Sequence, residues 1–530
     1  MNDLASEPMT ASPNSLGLDF NTPALQRKRR IRAFKDRLAR WCVSIGGLAV
    51  LGAITLIFFY LAYVVLPMFQ GADLEKRDAV QPAWLANAGK PLLMTLEEQN
   101  QVGMRLASDG KIQFFDAQSM EALTTIDLPL PAGTEVVSVG EDQPGSHRVA
   151  LGLSNGQALV FEHAYRITYP DDVKTITPSI VYPFGEAPLT IDPQGRPLEH
   201  MGISVNSGTL LIAGSVGSEL QVLSLSREEN MMTGEVEVSE ERLALPQIAE
   251  PIKELIIEPR QHWLFVINGR ATADVFDLRA KALNGRYKLL NDGAREVTHV
   301  TSLLGGISLL IGDSAGGISQ WFMVRDEDGK SDLKQVREFK MADSPVSQII
   351  PEERRKGFIA LDEKGNLGIF HSTAHRTLLV EPVAEGHSIA ALSPRANRVL
   401  VEANGKIERI LVDNPHPEIS WSSLWGKVWY ENYDKPEYVW QSTSASTDAE
   451  PKLSLAPLAF GTLKAAFYAM LLAAPLAIAA AIYTAYFMAP AMRGKVKPVI
   501  ELMEALPTVI LGFFAGLFLA PYVEGHLSLI

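Results

Sequence analysis

Four polar residues lie inside or beside long apolar runs near the end of the chain: Lys464, Glu501, Glu504 and Thr508. Ionisable groups are costly in hydrocarbon and usually mark a substrate pathway or a relay. Lys464 could attract an anion, or its stem could lie in the apolar layer with its ammonium at the surface. The two glutamates could form a gate, contact a cytoplasmic ATPase, or complement the dipole at a helix start. Thr508 is a candidate for lining the path of a solute.

The chain contains three uncharged stretches: 41–70 near its start, and 465–492 and 505–523, which adjoin or contain these residues. Each approaches or exceeds the roughly 20 residues that a helix needs to cross about 30 Å of hydrocarbon. A backbone without water must satisfy its own hydrogen bonds by coiling. The sequence therefore predicts three transmembrane helices over 41–70, 456–490 and 500–523, a turn over 491–499, and the start of a truncated remainder over 524–530.

Prolines and small residues shape the second and third predicted helices. Pro475 interrupts the second helix before an alanine-rich stretch, and Pro507 and Gly512 lie in the third. A proline frees a carbonyl that a neighbour must satisfy, and small residues allow helices to approach closely in a membrane. An isolated anchor needs neither feature. We therefore expect these helices to pack against others.

Basic residues give the expected orientation. The run Arg27–Arg32 precedes the first span, and Arg493, Lys495 and Lys497 lie between the second and third. Basic flanks stay on the cytoplasmic side, so residues 1–40 are predicted to be a cytoplasmic tail, with the large middle domain and the C-terminus outside. The first 21 residues are polar and are predicted to be disordered. The apolar run is too long for a cleaved signal peptide, so it is predicted to remain as an anchor.

Composition narrows the classes of partner. The 530 residues carry a formal net charge of −13, which argues against a general affinity for nucleic acid. The basic run before the first span is assigned to the membrane and not to nucleic acid. The only cysteine is Cys42, so the exterior domain has no disulfides. A domain of that length can bury a sufficient core without them.

One short pattern recurs through residues 71–413: a polar turn containing Gly, followed by alternating apolar residues. Turns of this kind favour tight hairpins, alternation suits a strand with one buried face, and spacings of roughly 40 to 60 residues fit four-stranded propeller blades. The sequence predicts an all-β, seven-bladed, WD40-like β-propeller, with a count that could differ by one because the spacing before Gly217 is long. A pair of β-sandwiches is the alternative. The seven turns contain Gly110, Gly156, Gly217, Gly269, Gly316, Gly365 and Gly405.

Other motifs of the exterior domain have structural explanations. The segment 312–317 superficially resembles the surroundings of a serine nucleophile, but it falls where a blade turn is expected. His371 and His375 are four residues apart, a spacing that pairs metal ligands only on a helix. The sequence contains no Walker A pattern, so we expect ATP hydrolysis on a separate subunit. We expect a binding or spacing module that is not an enzyme, without a cofactor or a metal.

Aromatic residues crowd the segment 414–455. Trp421, Trp425 and Trp429 have a spacing that places them on one helical face, and Trp440 follows. Indole rings prefer the headgroup layer of a bilayer. The pattern predicts a short amphipathic helix over 420–430, lying on the outer membrane surface and followed by a linker. The alternative is that these aromatics cover the bottom of the propeller.

The C-terminal segment resembles a known family. Pro457-Leu458-x-x-Gly461-Thr462-Leu463, Ala473-x-Pro475-Leu476 and Ala481-Ile482-Tyr483 resemble the entry helix of type I ABC-importer permeases. The segment from Ile500 through Pro507-Thr508-Val509 to Gly512-Phe513 is similar to the corresponding helix of phosphate-importer permeases. The long form of that group carries a large exterior insert after its first span, and the segments around Trp421–Trp440 and Lys452–Lys464 are similar to it.

The resemblance implies a multi-pass subunit of the bacterial inner membrane that moves inorganic phosphate inward. Its expected partners are a second permease subunit, a cytoplasmic ATPase dimer and a periplasmic phosphate-binding protein. Sulfate or molybdate would fit the same fold. Such permeases have about six spans and a cytoplasmic loop that docks the ATPase, so we expect this chain to be a partial permease. The alternative is a membrane-anchored propeller that serves as a scaffold or a ligand sensor of the cell envelope.

Overall fold

The computed structural model describes residues 23–229, 236–443, 449–504 and 508–526. It divides into two compact units, Met1–Ser420 and Trp421–Ile530. The first unit contains one long helix and a β-propeller, and the second contains a small aromatic segment and further helices. The predicted disordered segment 1–21 lies outside the described residues.

Helix α1, Pro23–Val65, contains both the basic run and the first apolar stretch. A proline is well tolerated at the first helical position because its missing N–H would be unpaired there. At 1.5 Å per residue the helix is about 65 Å long. It begins well before Trp41, so the basic residues belong to the same helix as the candidate span Gln26–Phe69. A 3₁₀ turn, Leu66–Phe69, ends it.

Seven antiparallel sheets follow, each with four strands in its main body, which confirms the predicted propeller and its blade count. Strand β1 comes first and belongs to blade 7, blade 1 is built from β2–β5, and blade 2 is built from β6–β10. The bounds of these strands are β1 Asp73–Lys76; β2 Pro91–Leu96, β3 Val102–Ala107, β4 Lys111–Asp116, β5 Ala122–Asp127; β6 Val136–Glu141, β7 Arg148–Leu153, β8 Gln157–Thr168, β9 Thr175–Val181 and β10 Leu189–Thr190.

Blades 3 to 7 continue in chain order. Their strands are β11 His200–Asn206, β12 Thr209–Val216, β13 Glu219–Glu229, β14 Val236–Leu243; β15 Ile252–Ile257, β16 Trp263–Asn268, β17 Thr272–Asp277, β18 Ala282–Lys288; β19 Val297–Ser302, β20 Ser308–Asp313, β21 Gly317–Arg325, β22 Ser331–Lys340; β23 Val346–Pro351, β24 Gly357–Asp362, β25 Asn366–His371, β26 Arg376–Pro382; and β27 His387–Leu392, β28 Arg398–Ala403, β29 Lys406–Asp413.

Strand β1 closes the ring as the outer strand of blade 7. It pairs antiparallel with β29, with Asp73 opposite Asp413 and Lys76 opposite Ile410. The chain therefore enters and leaves the propeller at the same face. Because successive strands alternate in direction, this face also carries the loops between the first and second strands of every blade. We call it the attachment face.

All seven predicted glycine turns join the second and third strands of a blade, on the opposite face. Gly316 and Gly365 show why glycine is needed there. Both have positive φ, +80° and +81°, and a Cβ would lie 2.0 Å from Ala342 O and 2.1 Å from Ala384 O. Only glycine adopts this conformation without steric cost. The segment 312–317 is such a turn, with Asp313 Oδ1 accepting the N–H groups of Ala315 and Gly317.

The core lies between neighbouring blades. Between blades 5 and 6, for example, Phe339, Phe358 and Phe370 meet with ring centroids 5.1–5.7 Å apart. Between blades 1 and 7, the Arg105 guanidinium donates to the Glu402 carboxylate at 2.7 and 3.0 Å. The closure thus combines an outer strand pair with a buried ion pair.

Blade 2 departs from the regular pattern, which explains the long spacing before Gly217. Strand β8 pairs with β9 from Glu162 opposite Val181 to Thr168 opposite Thr175, and beyond Glu162 it runs past the end of its pairing with β7. A tight turn with Asp171 and Asp172 at positive φ joins the two strands. The short strand β10 then takes the outer position beside the start of β8. The additional residues form a two-stranded arm.

The second unit begins with α2, Trp421–Trp425, and the strand pair β30, Trp440–Gln441, with β31, Lys452–Leu453. Helix α3, Ala456–Ile482, continues as a π-helical turn, Tyr483–Phe487. Helix α4 spans Pro490–Glu504, and α5, Thr508–Phe514, continues through a π-helical turn, Ala515–Leu519, into α6, Ala520–Gly525. The segments long and apolar enough to cross a membrane are Gln26–Phe69, Ala456–Phe487 and Thr508–Gly525.

Candidate functional site

Helix α3 is apolar around its whole circumference, and its large side chains are exposed. Phe460, Leu463, Phe467 and Leu471 are each more than half exposed. A helix with no polar face must be covered by lipid or by other helices. Pro475 lies in its interior and has no N–H to donate to the carbonyl four residues earlier. These features suit a helix that packs inside a larger membrane bundle.

Lys464 lies in the third turn of α3 and is exposed. Its rise from the helix start at Ala456 is about 12 Å. Within the described part of the chain, no hydrogen bond or ion pair of its ammonium is recorded. The geometry is compatible with both predicted roles, attraction of an anion and extension of the ammonium to the membrane surface.

The two glutamates, Glu501 and Glu504, lie in a helix that the sequence did not predict. The predicted turn 491–499 is helical, and α4 runs from Pro490 to Glu504. Glu501 and Glu504 therefore lie more than two turns after the first residue of α4, so they are not at the helix start that the sequence suggested. Glu501 is exposed and its Oε1 lies 3.9 Å from Lys497 Nζ, one turn earlier. The described part of the third candidate span begins at Thr508, so the prediction that residues 500–507 belong to this span stays a prediction.

The third candidate span begins at Thr508. Thr508 is the first residue of α5 and is exposed. A methyl group added to Gly512 would meet no atom within 4 Å, so no neighbour in this unit requires the glycine. Its small surface is available to a helix outside the described residues. Pro507, the third predicted helix-shaping residue, lies outside them.

The aromatic segment differs from the predicted amphipathic helix 420–430. Helix α2 ends at Trp425, because Gly426 is a poor helix former and Val428 pairs antiparallel with Glu437 instead. Trp429 therefore does not share a helical face with Trp421 and Trp425. Trp421, Trp425 and Trp440 are 70%, 47% and 42% exposed, as an interfacial role requires.

A small core holds this aromatic segment together. Tyr430 is 1% exposed and meets Tyr433 edge to face, with centroids 5.8 Å apart. The Lys452 ammonium lies over both rings, at 5.7 and 5.2 Å from their centroids. The segment is also joined to the first turn of α3, because Leu455 N donates to Leu424 O at 2.7 Å.

The propeller contains a cavity of about 320 Å³ along its axis. Residues from the first strands of all seven blades line it, together with loops of the attachment face. Six of those strands carry a β-bulge at their beginning. The residue after the bulge is Glu254 in blade 4, His299 in blade 5 and Gln348 in blade 6, and all three line the cavity.

The cavity is acidic. Among the described residues that line it are Glu141, Asp142, Glu254 and Glu353, against a single guanidinium, that of Arg148. Burial raises the pKa of Glu254 to about 7 and that of Glu353 to about 7, where the charges of Glu98 and Glu141 raise it further. Glu141 is exposed to the channel but is surrounded by protein, and this desolvation raises its pKa. Sequence reasoning missed these residues because Glu141, Glu254 and Glu353 come from blades 2, 4 and 6 and no local pattern connects them.

No protein-family model matches the chain. A stretch of 78 residues is 40% identical to a protein of Bacillus subtilis (strain 168) named probable ABC transporter permease protein YqgH. The match covers 14% of this chain and 25% of the relative, so it spans about a quarter of the relative's length. The similarity to a permease supports the coarser prediction of a membrane transport subunit, without testing the substrate.

Two solved structures are also similar to the chain. The β-propeller domain of Cps50 (Swd1) from Myceliophteria thermophila is 11% identical, with a TM-score of 0.43 over 64% of this chain and 100% of that chain. Raptor from Chaetomium thermophilum is 16% identical, with a TM-score of 0.42 over 62% of this chain and 28% of that chain. At these scores neither likeness supports an argument, and the propeller rests on its sheet topology.

Proposed function

We propose that this chain is a membrane subunit of an ATP-driven importer, in which α3 to α6 contribute to the translocation pathway of an oxyanion. The observation that carries the proposal is the set of apolar, proline-interrupted helices whose side chains are exposed on all sides. The 40% identity over 78 residues with a probable ABC transporter permease supports it. Such helices need neighbouring helices to satisfy their packing and freed backbone groups.

Phosphate is the proposed substrate, and the proposed partner subunits are those that a phosphate importer requires. A second permease subunit would complete the pathway, a cytoplasmic ATPase dimer would drive it, and a periplasmic phosphate-binding protein would deliver the anion. The chain would lie in a bacterial inner membrane, with its N-terminus in the cytoplasm and the propeller in the periplasm. Lys464, Glu501, Glu504 and Thr508 remain the proposed pathway or gate residues.

The acidic cavity favours a second candidate function for the propeller, that of a ligand sensor or scaffold. Carboxylates facing one another in a narrow channel repel phosphate, so the propeller axis is a poor route for that anion. In the first proposal phosphate would therefore pass beside the propeller. In the alternative, α3 to α6 would serve only as anchors.

Radiolabelled phosphate uptake distinguishes the two. The apolar part of α3 is replaced with polyleucine in the native gene, and the same replacement in the apolar part of α1 serves as a matched control. The proposal expects uptake to be lost with the α3 variant and retained with the α1 variant, at equal protein levels in the membrane. Uptake that survives the α3 replacement would show that the helix is only an anchor. Competition by sulfate and molybdate measures the choice of anion.

A further inference from the structure

Two carboxylates meet at the attachment-face end of the cavity. Glu141 ends β6, and Glu353 follows β23 in blade 6, on the other side of the channel. The loop after β6 crosses the opening, since a methyl group on Gly145 would lie 3.6 Å from Glu353 Oε2. Neither carboxylate takes part in an ion pair or side-chain hydrogen bond recorded for the described residues. The nearby Arg148 is already shared between Asp142 and Glu162, at 3.4 and 3.2 Å.

A buried histidine shares the same wall. His163 is 4% exposed and lines the cavity, and its Nδ1 has no hydrogen-bond partner among the described residues. Its ring packs edge to face with His147 and Tyr165, with centroids 4.7 and 5.6 Å apart. Burial lowers the pKa of His163 to about 3, so the imidazole is neutral at physiological pH. An unpaired nitrogen in such a setting is costly unless a ligand meets it.

We propose that this end of the cavity binds the guanidinium or primary ammonium group of an organic cation, with Glu141 and Glu353 as its charge partners and His163 as a further hydrogen-bond partner. Anions are disfavoured because carboxylates outnumber the one lining guanidinium. A metal ion is disfavoured because, in the described ranges, no group of three His, Cys, Asp or Glu residues could hold one. The volume of about 320 Å³ lies at the small end of ligand pockets. It suits an arginine-sized group.

The proposed site is independent of anion transport. It lies on the face where the chain enters and leaves the propeller, so an occupant would bind beside the connections to the membrane segments. A cation there could be a basic side chain of a partner protein or a free polyamine. Both present the same chemistry to Glu141 and Glu353, and different probes distinguish them.

Calorimetric titration of the full chain in lipid nanodiscs tests the site. The probes are N-acetylarginine amide, which represents a protein side chain, spermidine, which represents a polyamine, and inorganic phosphate as an anion. We expect a cation to bind with a dissociation constant below about 1 mM, and Glu141→Gln or Glu353→Gln to weaken it at least about tenfold. Glu381→Gln, an exposed carboxylate on the outer strand β26, is the matched control and should change nothing.

Substitution of the histidine adds an independent readout. His163→Phe keeps a ring of similar size but removes both nitrogens, so cation affinity should fall severalfold while thermal unfolding reports whether the blade remains folded. Binding of the arginine probe alone assigns the site to a protein partner, and binding of spermidine alone assigns it to a polyamine. The proposal would be overturned if neither cation bound, if Glu141→Gln and Glu353→Gln bound the cation as tightly as the wild type, or if phosphate bound in the cavity.

Discussion

Removing one side of the ion pair between the first and last blades should destabilise the junction at which the propeller ring closes. Arg105 in β3 and Glu402 in β28 are joined by two hydrogen bonds, and their side chains are only 3% and 8% exposed. Arg105 also donates to the carbonyl of Gly89 at 2.9 Å. The variant Arg105→Met keeps an unbranched stem of similar length but leaves the Glu402 carboxylate buried without its partner.

The size of the effect follows from this burial. Breaking a buried ion pair by removing one partner costs about 3–5 kcal/mol, whereas replacing both partners with apolar side chains is often close to neutral. For a domain of this size, about 2 °C is lost per kcal/mol, so the midpoint of Arg105→Met should fall by about 6–10 °C. The double variant Arg105→Met/Glu402→Leu should recover most of that loss, giving a coupling energy of at least about 2 kcal/mol.

Thermal unfolding followed by near-ultraviolet circular dichroism of the full chain in detergent measures Arg105→Met, Glu402→Leu and the double variant. Lys281→Met is the matched control, because its ion pair with Glu241 is 46% and 60% exposed and exposed pairs contribute at most about 1 kcal/mol. If Arg105→Met unfolds within about 1 °C of the wild type, or if the two single effects simply add, the junction does not depend on this pair.

Three further outcomes are expected. Burial raises the pKa of Glu353 from 4.5 to about 7, so the cost of ionising this carboxyl in the folded protein builds up between pH 4.5 and pH 7 and stays constant at higher pH. In urea unfolding, Glu353→Gln should therefore gain about 1–2 kcal/mol at pH 8 and almost nothing at pH 4.5, and an equal gain at both pH values would contradict this reasoning. The Arg376 guanidinium donates to carbonyls of the segments that enter and leave the propeller, those of Phe69, Gln70, His416 and Ile419. Arg376→Met should therefore accelerate chymotryptic cleavage after Phe69 severalfold. An unchanged cleavage rate would show that the guanidinium does not hold these two segments in place. Gly512→Leu should leave membrane insertion intact but reduce copurification of other subunits. If the other subunits copurified in unchanged amount, Gly512 would not lie in a contact between helices.

The propeller was predictable because each blade repeats a local requirement. Seven turns join the second and third strands of the blades, and positions such as Gly316 and Gly365 in these turns have positive φ, which favours glycine. Glycine at these positions is therefore visible in the sequence. The alternation that follows each turn is equally local, since it depends only on one face of the strand being buried. A sum of local signals therefore located all seven blades.

Long-range features were not predictable in the same way. Strand β1 has four residues, and its partner β29 lies more than three hundred residues away, so no local pattern indicates that it closes the ring. The channel carboxylates Glu141 and Glu353 come from blades 2 and 6 and meet only after closure. The only sign of the arm formed by β8 and β9 in the sequence was the long spacing before Gly217.

Helix boundaries in the second unit were the least predictable. The spacing of Trp421, Trp425 and Trp429 fits a helix, but the pairing of Val428 with Glu437 ends α2 after five residues. Glu501 and Glu504 looked like the start of a span, but both lie in α4, which begins at Pro490. For α2, pairing with another segment decided the boundary over local propensity.

Affinity purification of the native, full-length gene product from its own membrane is the most direct test of the transport proposal. The account expects a P-loop ATPase and a second permease-like subunit to copurify with it, and expects ATP-dependent phosphate accumulation when the purified assembly is placed in liposomes with a phosphate-binding protein. Purified protein that recovers no ATPase, and whose liposomes accumulate no oxyanion, would contradict the account and leave α3 to α6 as anchors of the propeller.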